Sequence, residues 1–252
     1  MDFKKVKEAC KEKTFKTFIP STKKEVYGKP YSLNDEVAMA SILETKNMEL
    51  FFSQLQNIVG EKYSLSPIEL DDLTMVDLQW LVCQLKKNSD GNILTLSVDC
   101  PNCKEHLKTE LNIDEIKLVR EDNFRKILDV NENMKMEIGL PKCADFYSIL
   151  GDVKDLNEGE NIALITQKGI ELFTASIKCF YIGNDVEYVT DDDRHNPEFA
   201  EMVSTQYRTQ FLLFQHWLEK ESPSLKYEKK IECANCKNTF SLSVDDFFYS
   251  ML

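Results

Sequence analysis

Val98-Asp99-Cys100-Pro101-Asn102-Cys103-Lys104 and Ile231-Glu232-Cys233-Ala234-Asn235-Cys236-Lys237 are two versions of one pattern. Each sets an aliphatic residue and an acid ahead of a C-x-x-C pair, places Asn in the second loop position, and follows with Lys. Alternating residues come next, Leu107, Thr109, Leu111 and Ile113 in one case and Phe240, Leu242 and Val244 in the other. A period of two predicts strands, so each stretch reads as strand, knuckle, strand. Two such hairpin tips supply four thiolates, the number and softness that tetrahedral zinc requires. Cys100, Cys103, Cys233 and Cys236 are therefore the expected ligands of one structural Zn2+ per chain.

The separation of the knuckles exceeds the roughly 15–20 residues of a compact ribbon. Closing so long a loop costs about 4 kcal/mol, whereas a structural zinc site contributes on the order of 10–16 kcal/mol. Zinc can therefore clamp the intervening chain as a closed excursion. A dithiol oxidoreductase is the chemical rival, but such motifs set the second cysteine in a helix whose dipole stabilises the thiolate. Strands are predicted here instead. His106 offers a substitute ligand that four cysteines make unnecessary. A zinc site saturated by four thiolates leaves no open position for catalysis, and the sequence holds no H-E-x-x-H pattern, Gly-rich phosphate loop or nucleophile motif near His195 or His216. The expected catalytic set is none.

Composition agrees with a globular, reducing-compartment protein. Of 252 residues, 42% are apolar and 29% charged, ordinary values for a folded domain. The net charge of -12 opposes nonspecific binding to nucleic acid or anionic membrane. Lys4, Lys5, Lys7, Lys11, Lys13 and Lys16 cluster near the start but are mixed with Asp2, Glu8 and Glu12, as on a solvated helix with Phe3, Val6 and Cys10 on one side. No signal peptide or membrane span is legible, which places the protein in cytosol. Cys10, Cys83, Cys143 and Cys179 read as small core residues.

Along the chain, residues 1–31 read as an N-terminal segment and β-arm, with Pro20 to Lys24 as a turn. Residues 32–91 read as a helical bundle. Ser32 or Asn34 caps its first helix, with Val37, Ala40, Ile42 and Leu43 on the apolar side; the second helix ends at Gly60; Leu65-Ser66-Pro67 is a linker; Thr74 caps the third. Residues 92–113 plus 226–252 form the split zinc ribbon with a C-terminal helix at Asp245 to Phe248. Residues 114–225 form a mainly helical insertion. Within it, Glu115 to Val119 is helical, Glu121 to Asn133 is ambiguous, and Met134 to Ile138 alternates. A helix over Gly159 to Thr174 turns Ile162, Ile165, Ile170 and Phe173 inward, and Ile177 to Val189 is a hairpin. Asp191-Asp192-Asp193 is a solvated loop. One long helix follows from Pro197 to near Pro223, with Phe199, Met202, Val203, Tyr207, Phe211, Phe214 and Trp217 as an aromatic stripe. Such a stripe serves a core or a partner groove.

The order of several short motifs then carries a resemblance. Ile19-Pro20-Ser21, Lys29 to Tyr31, Asp35-Glu36, Ser89-Asp90-Gly91, the first C-x-x-C, Gln210-Phe211, Trp217, Ser222-Pro223-Ser224-Leu225, the second C-x-x-C and Asp246-Phe247-Phe248 together resemble the baseplate hub proteins and hub assembly factors of T4-like tailed phages. Lys104 and Lys237 depart from the glycine that often follows the second cysteine, and 121–159 matches little. The resemblance implies a late, non-enzymatic viral protein that helps assemble the central hub of the tail baseplate by protein–protein contact. Its partners would be other hub proteins, in the host cytoplasm and, for a hub subunit, in the virion tail. Self-association through the aromatic stripe or the C-terminal Phe247, Phe248, Tyr249 and Met251 is a further expectation. The fold class expected is α+β. A zinc-ribbon nucleic-acid or transcription factor is the other alternative; it requires a basic ribbon face, yet Lys104, Lys108 and Lys237 are interspersed with Asp99, Glu105, Glu110 and Glu232.

Overall fold

The computed structural model describes residues 13–43, 48–150 and 162–244. Lys4, Lys5, Lys7 and Lys11 of the N-terminal cluster, Cys10 and the expected C-terminal helix lie outside them. The protein is mixed α+β, with small antiparallel sheets between helices. Two compact units divide the chain: one takes residues up to Leu70, Asp77–Leu118 and from Leu225 on, and the other Asp71–Val76 and Val119–Ser224.

In the first unit the arm is the expected hairpin, Phe15–Ile19 against Lys24–Gly28, paired Phe15 to Gly28 and Ile19 to Lys24. It seats aromatic rings on the helices, Phe15 edge-on to Tyr63 at 5.8 Å and Phe18 against Trp80 at 5.4 Å. Gly28 is required there, because a Cβ would fall 2.5 Å from the Phe15 ring and 2.6 Å from Tyr63. Asp77, fully buried in the helix Met75–Asp90, accepts the Ser21 N–H at 2.7 Å and so pins the turn.

Several local expectations are corrected. Gly60 does not end its helix, which runs Met48–Tyr63. The glycine instead admits Leu70, whose Cδ2 lies 3.0 Å from where a Cβ would be, and the helix stops at Ser64 with φ 52°. The expected linker at Leu65-Ser66 leads into a short helix, Pro67–Asp71, with Ser66 and Glu69 bonding each other's backbone N–H in a capping box. The helix Leu33–Leu43 does not bury Val37, which is 65% exposed. It is Asp35 that faces inward, forming an ion pair with Lys62 at 2.7 Å, their side chains 11% and 10% exposed.

That pair has a pH signature. Burial alone would raise the Asp35 carboxyl, but Lys62 and Ser32 together hold it below the usual carboxylate range. Burial would lower Lys62, and Asp35 outweighs it and raises it. The stabilisation is therefore complete above about pH 4 and lost as acid titrates Asp35 through its lowered folded value. At the alkaline end it holds up to about pH 10.4 and is lost as Lys62 titrates through its raised one. Asp35→Asn should cost about 2–3 kcal/mol at neutral pH, by leaving a desolvated ammonium without its carboxylate. Urea titrations of the two proteins should converge as the pH falls toward 2; an equal gap at every pH would contradict the assignment.

The knuckle strands follow their alternation. Ile93–Asp99 pairs antiparallel with His106–Asn112, and Lys229–Glu232 with Thr239–Leu242. Residues Ile113–Glu115 form a 3-10 turn, and Lys117–Val119 is a strand rather than the expected helix. Asn112 caps the turn, and Ile116 leaves it in extended backbone.

The second unit carries a four-stranded antiparallel sheet, Arg125–Asn131, Met134–Gly139, Ile177–Ile182 and Asp185–Tyr188, each paired with the next. The ambiguous stretch thus becomes an edge strand. Cys143–Leu150 and Ile162–Ser176 are helices. In the latter Phe173 is buried, whereas Ile165 is 53% exposed and not inward. Thr190 and Asp193 form a capping box that folds Asp191–Arg194 into one helical turn instead of a loop. The expected long helix is two, Pro197–Gln206 and Arg208–Lys220, broken at Tyr207 with φ -113° and ψ 35°. Ser204 and Thr205 bond back to the Glu201 carbonyl at 2.9 and 2.8 Å, a habit that bends helices. The break lays Tyr207 against Phe180 at 5.9 Å. Val203, Tyr207, Phe214 and Trp217 are all buried, so most of the aromatic stripe is core.

Candidate metal centre

Each C-x-x-C turn closes on itself by the same two backbone hydrogen bonds. The Cys100 N–H donates to Glu105 O and the Lys104 N–H to Cys100 O, both at 2.9 Å; the Cys233 N–H donates to Asn238 O and the Lys237 N–H to Cys233 O, also at 2.9 Å. Both turns end in a left-handed residue, Lys104 at φ 59° and Lys237 at φ 60°. Glycine adopts that conformation at no steric cost, which is the physical reason for a glycine there and the cost of having lysine. Lys104→Gly should therefore raise stability by up to about 1 kcal/mol without changing metal content, as a denaturant titration beside metal analysis would show.

The two turns meet. The four sulfurs of Cys100, Cys103, Cys233 and Cys236 all lie within 4.8 Å of one another. Cys100 and Cys236 stand 3.6 Å apart, as do Cys103 and Cys233. A disulfide requires about 2.0 Å, whereas four sulfurs about 2.3 Å from a tetrahedral ion lie about 3.8 Å apart. The cluster is thus suited to a metal ion, and the four cysteines singled out in the sequence are the four brought together. Among the described residues no other group of Cys, His, Asp or Glu side chains is gathered in this way. His106 stays out: its ring is 86% exposed and pairs with Asp99, its neighbour across the hairpin.

The electrostatics are those of sulfurs competing for negative charge. Asn102 and then the Asn238 N–H hold the Cys236 thiol down, to about 6. The Glu105 N–H acts likewise on Cys103, but burial and the three neighbouring sulfurs outweigh it and push that thiol up to about 12. A divalent cation removes this conflict by compensating all four thiolates at once. Cys100 and Cys233 are fully buried, while Cys103 and Cys236 reach solvent in part. Cys83, Cys143 and Cys179 are buried apart from the cluster, as expected of core cysteines.

Against this geometry the family comparison is decisive. The family model described as T4 bacteriophage base plate protein matches residues 11–248. The chain belongs to that family. Comparison with the curated proteins gave no match, and comparison with the solved structures gave none. For a T4 base plate family protein, other baseplate proteins are the implied partners, and the match spans both knuckles and everything between them. Among the described residues no helix is long and apolar enough to cross a membrane. The sequence reading missed Asn102 and Asn235, which reach the sulfurs from opposite sides; their matching positions in the two knuckles were the available signal.

Proposed function

We propose that this base plate family protein helps assemble the central hub of a tailed-phage baseplate, acting by protein–protein contact and not by catalysis. One zinc ion on Cys100, Cys103, Cys233 and Cys236 stabilises it. The family match over residues 11–248 carries the reading, and the order of short motifs supports the hub. The knuckles serve as a structural tie because four thiolates fill a tetrahedral zinc and leave no position for a substrate. In this reading its partners are other hub proteins, met in the host cytoplasm. Between the two hub roles, the acidic charge and modest size favour an assembly factor over a permanent subunit.

The test is recovery of the tagged protein from infected cells, with hub precursors and finished tails analysed separately. An assembly factor is found with precursors and is absent from mature tails. Presence in both makes it a hub subunit, and absence from both removes the hub reading. Metal analysis of the purified chain should return about one zinc per chain.

A further inference from the structure

The two knuckles are related by more than their cysteines. The buried Cys100 sulfur accepts two backbone N–H groups from its own turn, those of Asn102 and Cys103. The half-exposed second cysteines are served differently. Cys103 has the Glu105 N–H and Cys236 the Asn238 N–H, one backbone donor each. Their other donor comes from across the centre: Asn235 Nδ2 lies 3.8 Å from the Cys103 sulfur, and the Asn102 side chain acts on the Cys236 sulfur in the reciprocal sense. Both asparagines are on the exposed surface of their turns. An amide N–H donated to a metal-bound thiolate disperses its charge and fixes its orientation.

We propose that Asn102 and Asn235 are crossed positioning residues of the metal centre. Each is held in one knuckle and donates its side-chain N–H to the outer sulfur of the other. The exchange gives each solvent-facing thiolate its second donor and holds the two distant halves of the site in register. This rests on the zinc reading above.

The test uses the full-length, zinc-loaded chain with Asn102→Ala and Asn235→Ala. Alkylation by iodoacetamide, resolved by site with mass spectrometry, should speed up at Cys103 in N235A and at Cys236 in N102A. Zinc transfer to a chelator should accelerate about tenfold or more in each, and the sulfur-to-metal charge-transfer bands of the cobalt-substituted proteins should shift. An isosteric Asn→Asp change, which removes the N–H donor, should reproduce the crossed pattern and covers the case in which an alanine variant does not fold. Unchanged alkylation, or each variant exposing the sulfur of its own knuckle, overturns the proposal. If the wild-type chain binds no zinc, the zinc reading has failed first; bound zinc with an uncrossed pattern defeats the asparagine proposal alone.

Discussion

If the four cysteines hold zinc as proposed, Cys233→Ser should abolish metal binding and unfold the ribbon hairpins while leaving the other unit folded. Cys233 is fully buried, so the serine places an unpaired hydroxyl among three sulfurs and removes one of four ligands. The energy at stake is large, because a structural zinc site contributes on the order of 10–16 kcal/mol of apparent binding free energy that an unfolded chain cannot collect. The hairpins have little to replace it. Leu96, Leu111 and Leu242 are buried, but the alternate positions of these short strands face solvent. Amide exchange should therefore become fast over Ile93–Asp99, His106–Asn112, Lys229–Glu232 and Thr239–Leu242, and a chelator should do the same to the wild-type chain. Intact protection in metal-free protein would show that the ribbon stands without its ion.

Trp217→Ala should be the most damaging change in the other unit, at about 3–5 kcal/mol. Trp217 is 1% exposed and ends a ring series in which Phe173 and Phe214 lie 5.2 Å apart and Phe214 and Trp217 6.2 Å apart. Truncation leaves a cavity walled by rings that cannot collapse onto alanine. Since whole domains are stable by about 5–15 kcal/mol, the denaturant midpoint should fall by a large fraction. Leu213→Ala, on the same helix but 42% exposed, should stay within about 0.5 kcal/mol. If Trp217 could be removed without loss of stability, the stripe would be a partner groove after all.

What the sequence revealed and what it hid follow one physical line. Alternation records which side of a strand is apolar, so the knuckle strands and the Ile177–Ile182 and Asp185–Tyr188 hairpin were legible, as was the α+β class. The cysteines were legible because only a few chemistries want thiols at that spacing. Apolarity does not record which neighbour a residue meets. Val37 looked inward, yet the contact was made by Asp35 and Lys62, two charges that sequence patterning assigns to the surface. Gly60 looked like a stop because glycine is a poor helix former; its use was to admit Leu70. The Tyr207 break sets its ring against Phe180, 27 positions upstream, a distance no local window spans. Similarly, lysine at positions 104 and 237 concealed a backbone conformation that glycine would have announced.

The separation of the two knuckles also sets an order of events during synthesis. Cys103 and Cys233 are 130 positions apart, and a ribosome needs roughly 7–26 s to make that much chain. From its own emergence until the second knuckle follows, the first knuckle has two thiols and no partners, and the cluster closes only after residues 119–224 of the second unit have emerged. Closure of the four sulfurs thus acts as a late checkpoint on the nascent chain, passed only when everything between them has been translated.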